Sequence, residues 1–290
     1  MIDLLLGGSP CQGFSFAGKQ LNFFDPRSKL FFDYVKALEI LKPKYFLLEN
    51  VKMKKEYEDV ITQHLGVKPI EINSALVSAQ NRKRLYWTNI PGVTQPEDKG
   101  IMLKDIVHEN VDFKTCLYSR KTGLGKEIDK STALCASDFR GLNRNQNQTS
   151  VVVEGYIRRL TPIECERLQT LPDNYTAIGV IDGKEVPISN TQRYKMLGNG
   201  WTVDVIAHIL SFIPETYLHT VVSLFDGISC GQVALERAGK VYNQYYASEI
   251  DKYAIAVTQK NYPHTMQLGD VTKVDWNTFL DRLDLIQKVS

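Results

Sequence analysis

At 290 residues, 43% of them hydrophobic and 23% charged, the chain has the composition of a globular protein with room for one large domain and a small one. No apolar run is long enough to span a bilayer, and the opening stretch at 2–6 lacks the basic start and long apolar core of a secretion signal. The five scattered cysteines, odd in number and without a CxxC pair, argue against a disulfide framework and a zinc site and make a reduced, cytoplasmic setting the expected one.

The first hundred residues alternate strand and helix signals. IDLLL at 2–6 is a short buried strand stopped by Gly7 and Gly8. Asp25 and Pro26 start a helix, with an N-cap acid and a first-turn proline. Leu30, Phe31, Tyr34, Val35, Leu38 and Leu41 follow at helical spacing, and Lys42–Pro43 ends it. YFLL at 45–48 is a second buried strand, 56–65 a second helix, and EINSALVSA leads to a Gln80–Arg84 cluster. From 91 to 150 periodicity fades, and 138–150 (DFRGLNRNQNQTS) has the polarity of an exposed loop. Residues 113–149 hold seven Lys/Arg against three acids, in a chain whose net charge is only +2, so the remainder is acidic. Such a local basic region is the usual footprint of polyanion binding, although charge alone equally fits a solvated surface. Helical signal returns at 162–171 and 204–212.

The last seventy residues restart the alternation: VVSLF as strand, DGISCG as turn, 232–238 as helix, YYASE as strand and 251–261 as helix. Strand–helix alternation at both ends predicts a parallel α/β sheet with helices on both faces, and the irregular middle a smaller inserted lobe. The expected division is 1–110, 111–185 and 186–290: a first part of the sheet domain, an inserted lobe, and the second part of the sheet domain.

In open parallel sheets, ligands bind beyond the carboxyl ends of the strands. Cys11, Glu49, Asp226, Glu249 and Asp270 each follow a strand signal, which places one thiol and four carboxylates along one rim. VVSLFDGISCG is strand, glycine turn, helix, but not GxGxxG, so it is not the dinucleotide fingerprint. Glu249, one strand further on, stands where an acid commonly accepts from ribose hydroxyls. On spacing alone a plain strand–turn–helix with solvent-facing acids is an equal reading. A lone cysteine is more often a small core residue than a nucleophile, yet Cys11 sits after Pro10 in a glycine-rich loop that keeps a thiolate accessible. Arg82 and Arg84, two apart on a strand, would face the same way and suit gripping an anion or orienting a carboxylate.

At these residues the chain resembles the DNA (cytosine-5) methyltransferases. Pro10–Cys11 in SPCQGFSFAG resembles the family's nucleophile loop, Glu49–Asn50–Val51 its Glu-Asn-Val, and Gln80, Arg82 and Arg84 its Gln-x-Arg-x-Arg. RLTPIECERLQTLPDNY from Arg159 resembles the segment after the recognition region, MLGNGWTV from Met196 the last motif, SLFDGISCG the first, and Glu249 the acid of the second. Two departures stand out. Gly200–Trp201 is bulkier than the family's usual pair, and the cofactor motifs come last rather than first, a circularly permuted order.

The resemblance implies a Rossmann-like S-adenosylmethionine-dependent methyltransferase sheet with helices on both faces and a small irregular target-recognition lobe. It implies transfer of a methyl group from S-adenosylmethionine, leaving S-adenosylhomocysteine, to carbon 5 of cytosine in double-stranded DNA, with a covalent Cys11 adduct and base flipping. Glu49, Arg82 and Arg84 would complete the catalytic set, with Arg82 holding the base edge and Glu49. Pro10, Asn199, Val203, Phe225, Asp226, Gly227, Ile228, Glu249, Ile250, Asp270 and Val271 would line the cofactor pocket. Ser15, Arg140, Asn143 and Arg144 would contact DNA. No metal is implied, nor a membrane partner; a monomer is the default, nucleoid-associated in a bacterium or phage. A tRNA cytosine-5 methyltransferase and an inactive DNA-binding relative are the alternatives; the intact Cys11, Glu49, Arg82 and Arg84 argue against the latter. The chain's two ends carry near copies, IDLL at 2–5 and LDLI at 283–286. The copy tied to Cys11 is expected in the central sheet and the other at an edge or on the surface.

Overall fold

The computed structural model describes residues 2–9, 29–109 and 111–289. The expected helix start at Asp25 and Pro26 lies outside them. In chain order the first elements are β1 (Leu4–Gly7), α1 (Leu30–Leu41), β2 (Tyr45–Val51), α2 (Lys55–Leu65), β3 (Ile70–Asn73), β4 (Gln80–Asn81) and β5 (Lys83–Thr88). Helix α1 buries Phe31, Tyr34, Val35 and Leu41 and stops at Lys42, which is left-handed (φ 44°) and followed by Pro43.

The middle of the chain supplies β6 (Phe113–Ser119), β7 (Gly123–Glu127), β8 (Ser131–Thr132), β9 (Gln148–Val153), β10 (Tyr156–Arg159), α3 (Pro162–Leu168), β11 (Ile178–Ile181) and β12 (Lys184–Pro187). Helix α3 starts on a capping box: Thr161 Oγ1 accepts from the Glu164 N–H, and Glu164 accepts in return from the Thr161 N–H. The last third holds α4 (Asn190–Asn199), α5 (Val203–Ser211), β13 (Tyr217–Leu224), α6 (Cys230–Arg237), β14 (Val241–Ser248), α7 (Lys252–Asn261), β15 (Met266–Gln267) and α8 (Trp276–Val289).

Seven strands form the main sheet in the order β15-β14-β13-β1-β2-β5-β3. The expected parallel pairing holds from β15 to β2, whereas β5 runs antiparallel to both β2 and β3. β3 ends at Asn73 and β5 begins at Lys83, a link too short for the crossover that parallel strands need, so β5 returns antiparallel and lies between β3 and β2.

Successive residues of β1 point to opposite faces. Leu4 and Leu6 join a core with α5, α6 and α7, while Leu5 joins one with α1, α2 and α8. All three are wholly buried, each stabilising the sheet by about 1.5–3 kcal/mol.

A second, four-stranded sheet, β10-β9-β6-β7, is built from the middle of the chain, and the β11–β12 hairpin packs on α7. Part of the expected loop at 138–150 is regular. Ala136–Arg140 is a 3-10 turn, and Gln148 to Ser150 open β9, buried because Thr149 and Ser150 hydrogen-bond to Ser131 and to the Cys116 carbonyl.

The N-terminal copy of the repeated run is β1, in mid-sheet between β13 and β2. The C-terminal copy is not an edge strand but part of helix α8. There Trp276, Leu280 and Leu283 recur at helical spacing; Leu283 is buried and Leu285 is 63% exposed. Among the described residues no helix is long and apolar enough to cross a membrane.

Candidate active site

Strands β1 and β2 end side by side, with Gly7 opposite Leu48. Beyond that point the buried Asn50 donates its amide to Oγ of Ser9 at 3.0 Å. This bond fixes the chain two residues before Cys11 to the end of β2. Pro10, Cys11 and Ser15 themselves lie outside the described residues.

Glu49 alternates with Asn50 along β2 and faces the other way. Its Oε1 pairs with Arg84 Nε at 2.9 Å and its Oε2 accepts from the indole Nε1 of Trp201 at 3.2 Å. The expectation that Arg82 holds Glu49 is corrected here: Arg84 makes the ion pair. The strand breaks at residue 82, between β4 and β5, so the two arginines are not equivalent. Arg82 turns inward, is only 4% exposed, and donates to the carbonyls of Leu134 (2.9 Å), Gly198 (3.3 Å) and Gly200 (3.0 Å). Burial, and then the like charge of Arg84, lower its guanidinium to about 10, still charged at neutral pH.

The turn after β13 is strained. Phe225 and Ser229 are both left-handed, with φ of 58° and 57°, which for a bulky side chain costs on the order of 1–3 kcal/mol. Asp226 holds the turn. Its carboxylate accepts from Ser229 Oγ and, at 2.8 Å, from Tyr245 Oη, and its N–H donates to the Ser248 carbonyl. Burial pushes the Asp226 carboxyl up to about 6 despite these bonds, and the charge of Glu249 adds to the rise.

Glu249 accepts three backbone N–H groups, from Gly227, Ile250 and Asp251, at 2.7–2.8 Å. A carboxylate has about four lone-pair sites, so one remains for a hydroxyl. Asp270 caps the turn that follows it, and hydrogen bonds from Thr272 hold its carboxyl below the usual range.

Both halves open into one cleft of about 380 Å³, a size ordinary for a cofactor site. Its walls include Glu49, Arg82, Arg84, Trp201, Phe225 and Glu249.

A family model described as C-5 cytosine-specific DNA methylase matches residues 1–91, 80–215 and 219–288. The chain belongs to the C-5 cytosine-specific DNA methylases. It is 27% identical to the orphan methyltransferase M.SPRI of Bacillus phage SPR over a 370-residue alignment covering 75% of this chain and 83% of that one. With the type II methyltransferase M.HpaII of Haemophilus parainfluenzae it shares 30% identity over 258 residues, 70% of this chain and 69% of that one. Among solved structures, the Dnmt2 methyltransferase of S. pombe matches with a TM-score of 0.47 and 15% identity, covering 73% of this chain and 77% of that one.

Of the residues expected at the methylase's cofactor pocket, Asn199, Phe225, Asp226, Gly227, Ile228, Glu249, Ile250, Asp270 and Val271 all line the cleft. Val203 does not. It opens α5 wholly buried in the core, its N–H donated to the Gln169 carbonyl, because the turn at 200–202 carries the chain away from the cleft. Ile250 is an apolar side chain 76% exposed on the cleft wall. Together with the acceptors Glu249 and Asp270, it fits a ligand with an apolar face, ribose hydroxyls and an exocyclic amino group, as S-adenosylmethionine has. Trp201, Lys195, Met196 and Ser248 also line the cleft and were missed. Only the bulk of Trp201 after Gly200 offered a signal.

In the middle of the chain, Arg140 and Asn143 are exposed. Arg144 is tied to Asp138 by an ion pair of 2.5 Å.

Proposed function

We propose that this methylase transfers a methyl group to carbon 5 of a cytosine in duplex DNA, through a transient bond from Cys11 to carbon 6, with the cytosine turned out of the helix. The observation that carries the reading is the shared cleft: a carboxylate held by Arg84 and Trp201 opens onto the same space as the Phe225–Glu249 wall. The Ser9–Asn50 bond leads the chain from that space into Pro10–Cys11.

Carbon 5 of cytosine is a poor nucleophile. Addition of the Cys11 thiolate to carbon 6 converts the ring to an enamine and builds negative charge toward nitrogen 3. Glu49 meets that charge in its protonated form, whose O–H donates a hydrogen bond or the proton itself to nitrogen 3; the ionised carboxylate could only accept. S-adenosylmethionine, when bound, supplies an electrophilic methyl on a sulfonium. Glu249 would hold its ribose, Asp270 its amino group, and Phe225 and Ile250 its apolar face. Water takes the carbon-5 proton, the electrons of that bond restore the 5,6 double bond, and the Cys11 thiolate leaves carbon 6, which completes the reaction. The reacting atoms lie inside the base stack of a duplex, so the base must leave it. The exposed Arg140 and Asn143 support a DNA contact from the middle segment of the chain, which we assign as the recognition lobe.

Methyl incorporation into duplex DNA and into tRNA, with wild type and Glu49→Gln, tests this reading. Duplex DNA should be methylated, and Glu49→Gln should slow single-turnover transfer by roughly 10²–10⁴-fold. Methylation of tRNA alone would overturn the substrate assignment, and an unchanged rate would overturn the role of Glu49.

A further inference from the structure

Trp201 bonds the carboxylate on which the proposed chemistry turns. We propose that Trp201 is a positioning residue for Glu49, an inference that rests on the reading of Glu49 above. Its indole N–H takes one carboxylate oxygen and Arg84 takes the other, at 3.2 Å and 2.9 Å, so the plane of the carboxylate is set from both sides. The indole nitrogen is a donor only. It therefore occupies one lone pair of Oε2 and leaves the second for a base edge.

Two features fix the indole. The first is its backbone. The Gly200 carbonyl just before it accepts from Arg82 at 3.0 Å and from Gln169 at 3.1 Å. Thr202 just after it donates to Gln169 Oε1 at 3.0 Å and accepts from Ser74 Oγ at 2.8 Å. Gln169, Thr202 and Ser74 are all buried, and a satisfied buried polar network of this kind rigidifies what it holds. The second is the space for the ring. A Cβ on Gly8 would stand 2.9 Å from the indole nitrogen and 3.3 Å from two ring carbons. A side chain there would push the indole off Glu49, so the glycine that follows β1 and tryptophan at 201 form a matched pair. The ring also lines the shared cleft and reaches α6, where a Cβ on Gly231 would lie 3.8 Å from it, which places it between the two halves of the site.

The test compares Trp201→Phe, Trp201→His and Gly8→Ala with wild type and Glu49→Gln. It reads single-turnover transfer rate, duplex DNA affinity and tryptophan fluorescence. Of the three tryptophans, Trp87 and Trp276 are at most 1% exposed, so Trp201 is the one that reports on the cleft. Trp201→Phe loses the N–H and should lower the rate about 10- to 100-fold, the scale of a hydrogen bond to a charged group, with DNA affinity within about twofold. Trp201→His, which keeps a ring N–H, should recover part of the rate. Gly8→Ala should lower the rate as Trp201→Phe does. Wild-type fluorescence should change when duplex DNA is added, and the change should vanish in Trp201→Phe. A wild-type rate in Trp201→Phe, or equal loss of rate and affinity without rescue by histidine, overturns the inference. If Trp201→Phe does not fold, a wild-type rate in Gly8→Ala overturns it. Should Glu49→Gln itself turn over normally, the underlying reading fails; a slow Glu49→Gln beside a normal Trp201→Phe sinks the positioning role alone.

Discussion

Asp226 is a carboxylate whose surroundings oppose its charge: it is buried, faces Glu249, and is kept in place by two hydroxyl donors. Its carboxyl ionises at about 6 in the folded protein against an ordinary 3.8. Below 3.8 both states hold the proton and the group contributes no difference. Between 3.8 and about 6 the unfolded chain ionises first, so stability falls as pH rises through this window, by about 3 kcal/mol in all. Asp226→Asn cannot ionise. Its stability relative to wild type should therefore rise by about that amount from pH 4 to 7 in urea titrations; a difference constant across the range would contradict the assignment. The sequence marked Glu49, Asp226 and Glu249 through their places after apolar runs. It did not separate Arg82 from Arg84, because spacing of two implies one face only where the strand is continuous, and here it breaks at 82. Nor did it exclude Val203, whose burial depends on the path of the 200–202 turn, nor find the Trp201 bond, which joins residues 152 apart.

Elements with at least one fully buried face were legible: β1, β2, β13 and the end of β14 as apolar runs buried on both faces, α1, α5 and α7 by their helical signal. Strands β6 and β7 were not, because their buried residues are few and show no alternation, as in a small sheet with much of its surface in solvent. The 3-10 turn Ala136–Arg140 has no helical period to detect, but Gly198 betrays its position. A Cβ on Gly198 would lie 2.2 Å from the Ala136 nitrogen and the Cys135 carbon, so the turn sits directly on α4. Arg140, at its end, and Asn143 are exposed, while Arg144 is held by Asp138. Alanine at all three should change DNA recognition in two separable ways. Loss of a base contact costs about 1–3 kcal/mol at one position of the site and relaxes choice there, whereas loss of a phosphate contact weakens all sequences and flattens the salt dependence. Removing Arg144 should in addition loosen the turn. Binding titrations on a set of single-base variants at two salt concentrations distinguish these outcomes, and unchanged affinity and site choice would remove the turn from the interface.

At the scale of the molecule, the first described strand lies in the middle of the sheet, between β13 from the last third of the chain and β2. Ile2, beside β1, shares a core with Trp276 and Leu283 of α8. The sequence order implied this arrangement, but the helical fate of the second copy at 283–286 was obscured by its likeness to β1; the spacing of Trp276, Leu280 and Leu283 decides it. Read as a circular permutant, the chain should tolerate a new opening between α5 and β13 with α8 joined to β1 by a short linker. That rearranged chain should fold and methylate DNA, and a chain that cannot fold would count against the permutation. The central claim, covalent chemistry at Cys11 on a cytosine facing Glu49, is tested most directly by mass spectrometry of the protein incubated with cofactor and duplex DNA carrying 5-fluorocytosine at the target. Fluorine cannot leave as a proton does, so the account predicts a denaturant-stable adduct of protein, oligonucleotide and one methyl group, mapped to Cys11 and absent from Cys11→Ser. Methyl transfer to unmodified DNA without any trapped adduct, or an adduct mapped to another residue, would contradict it.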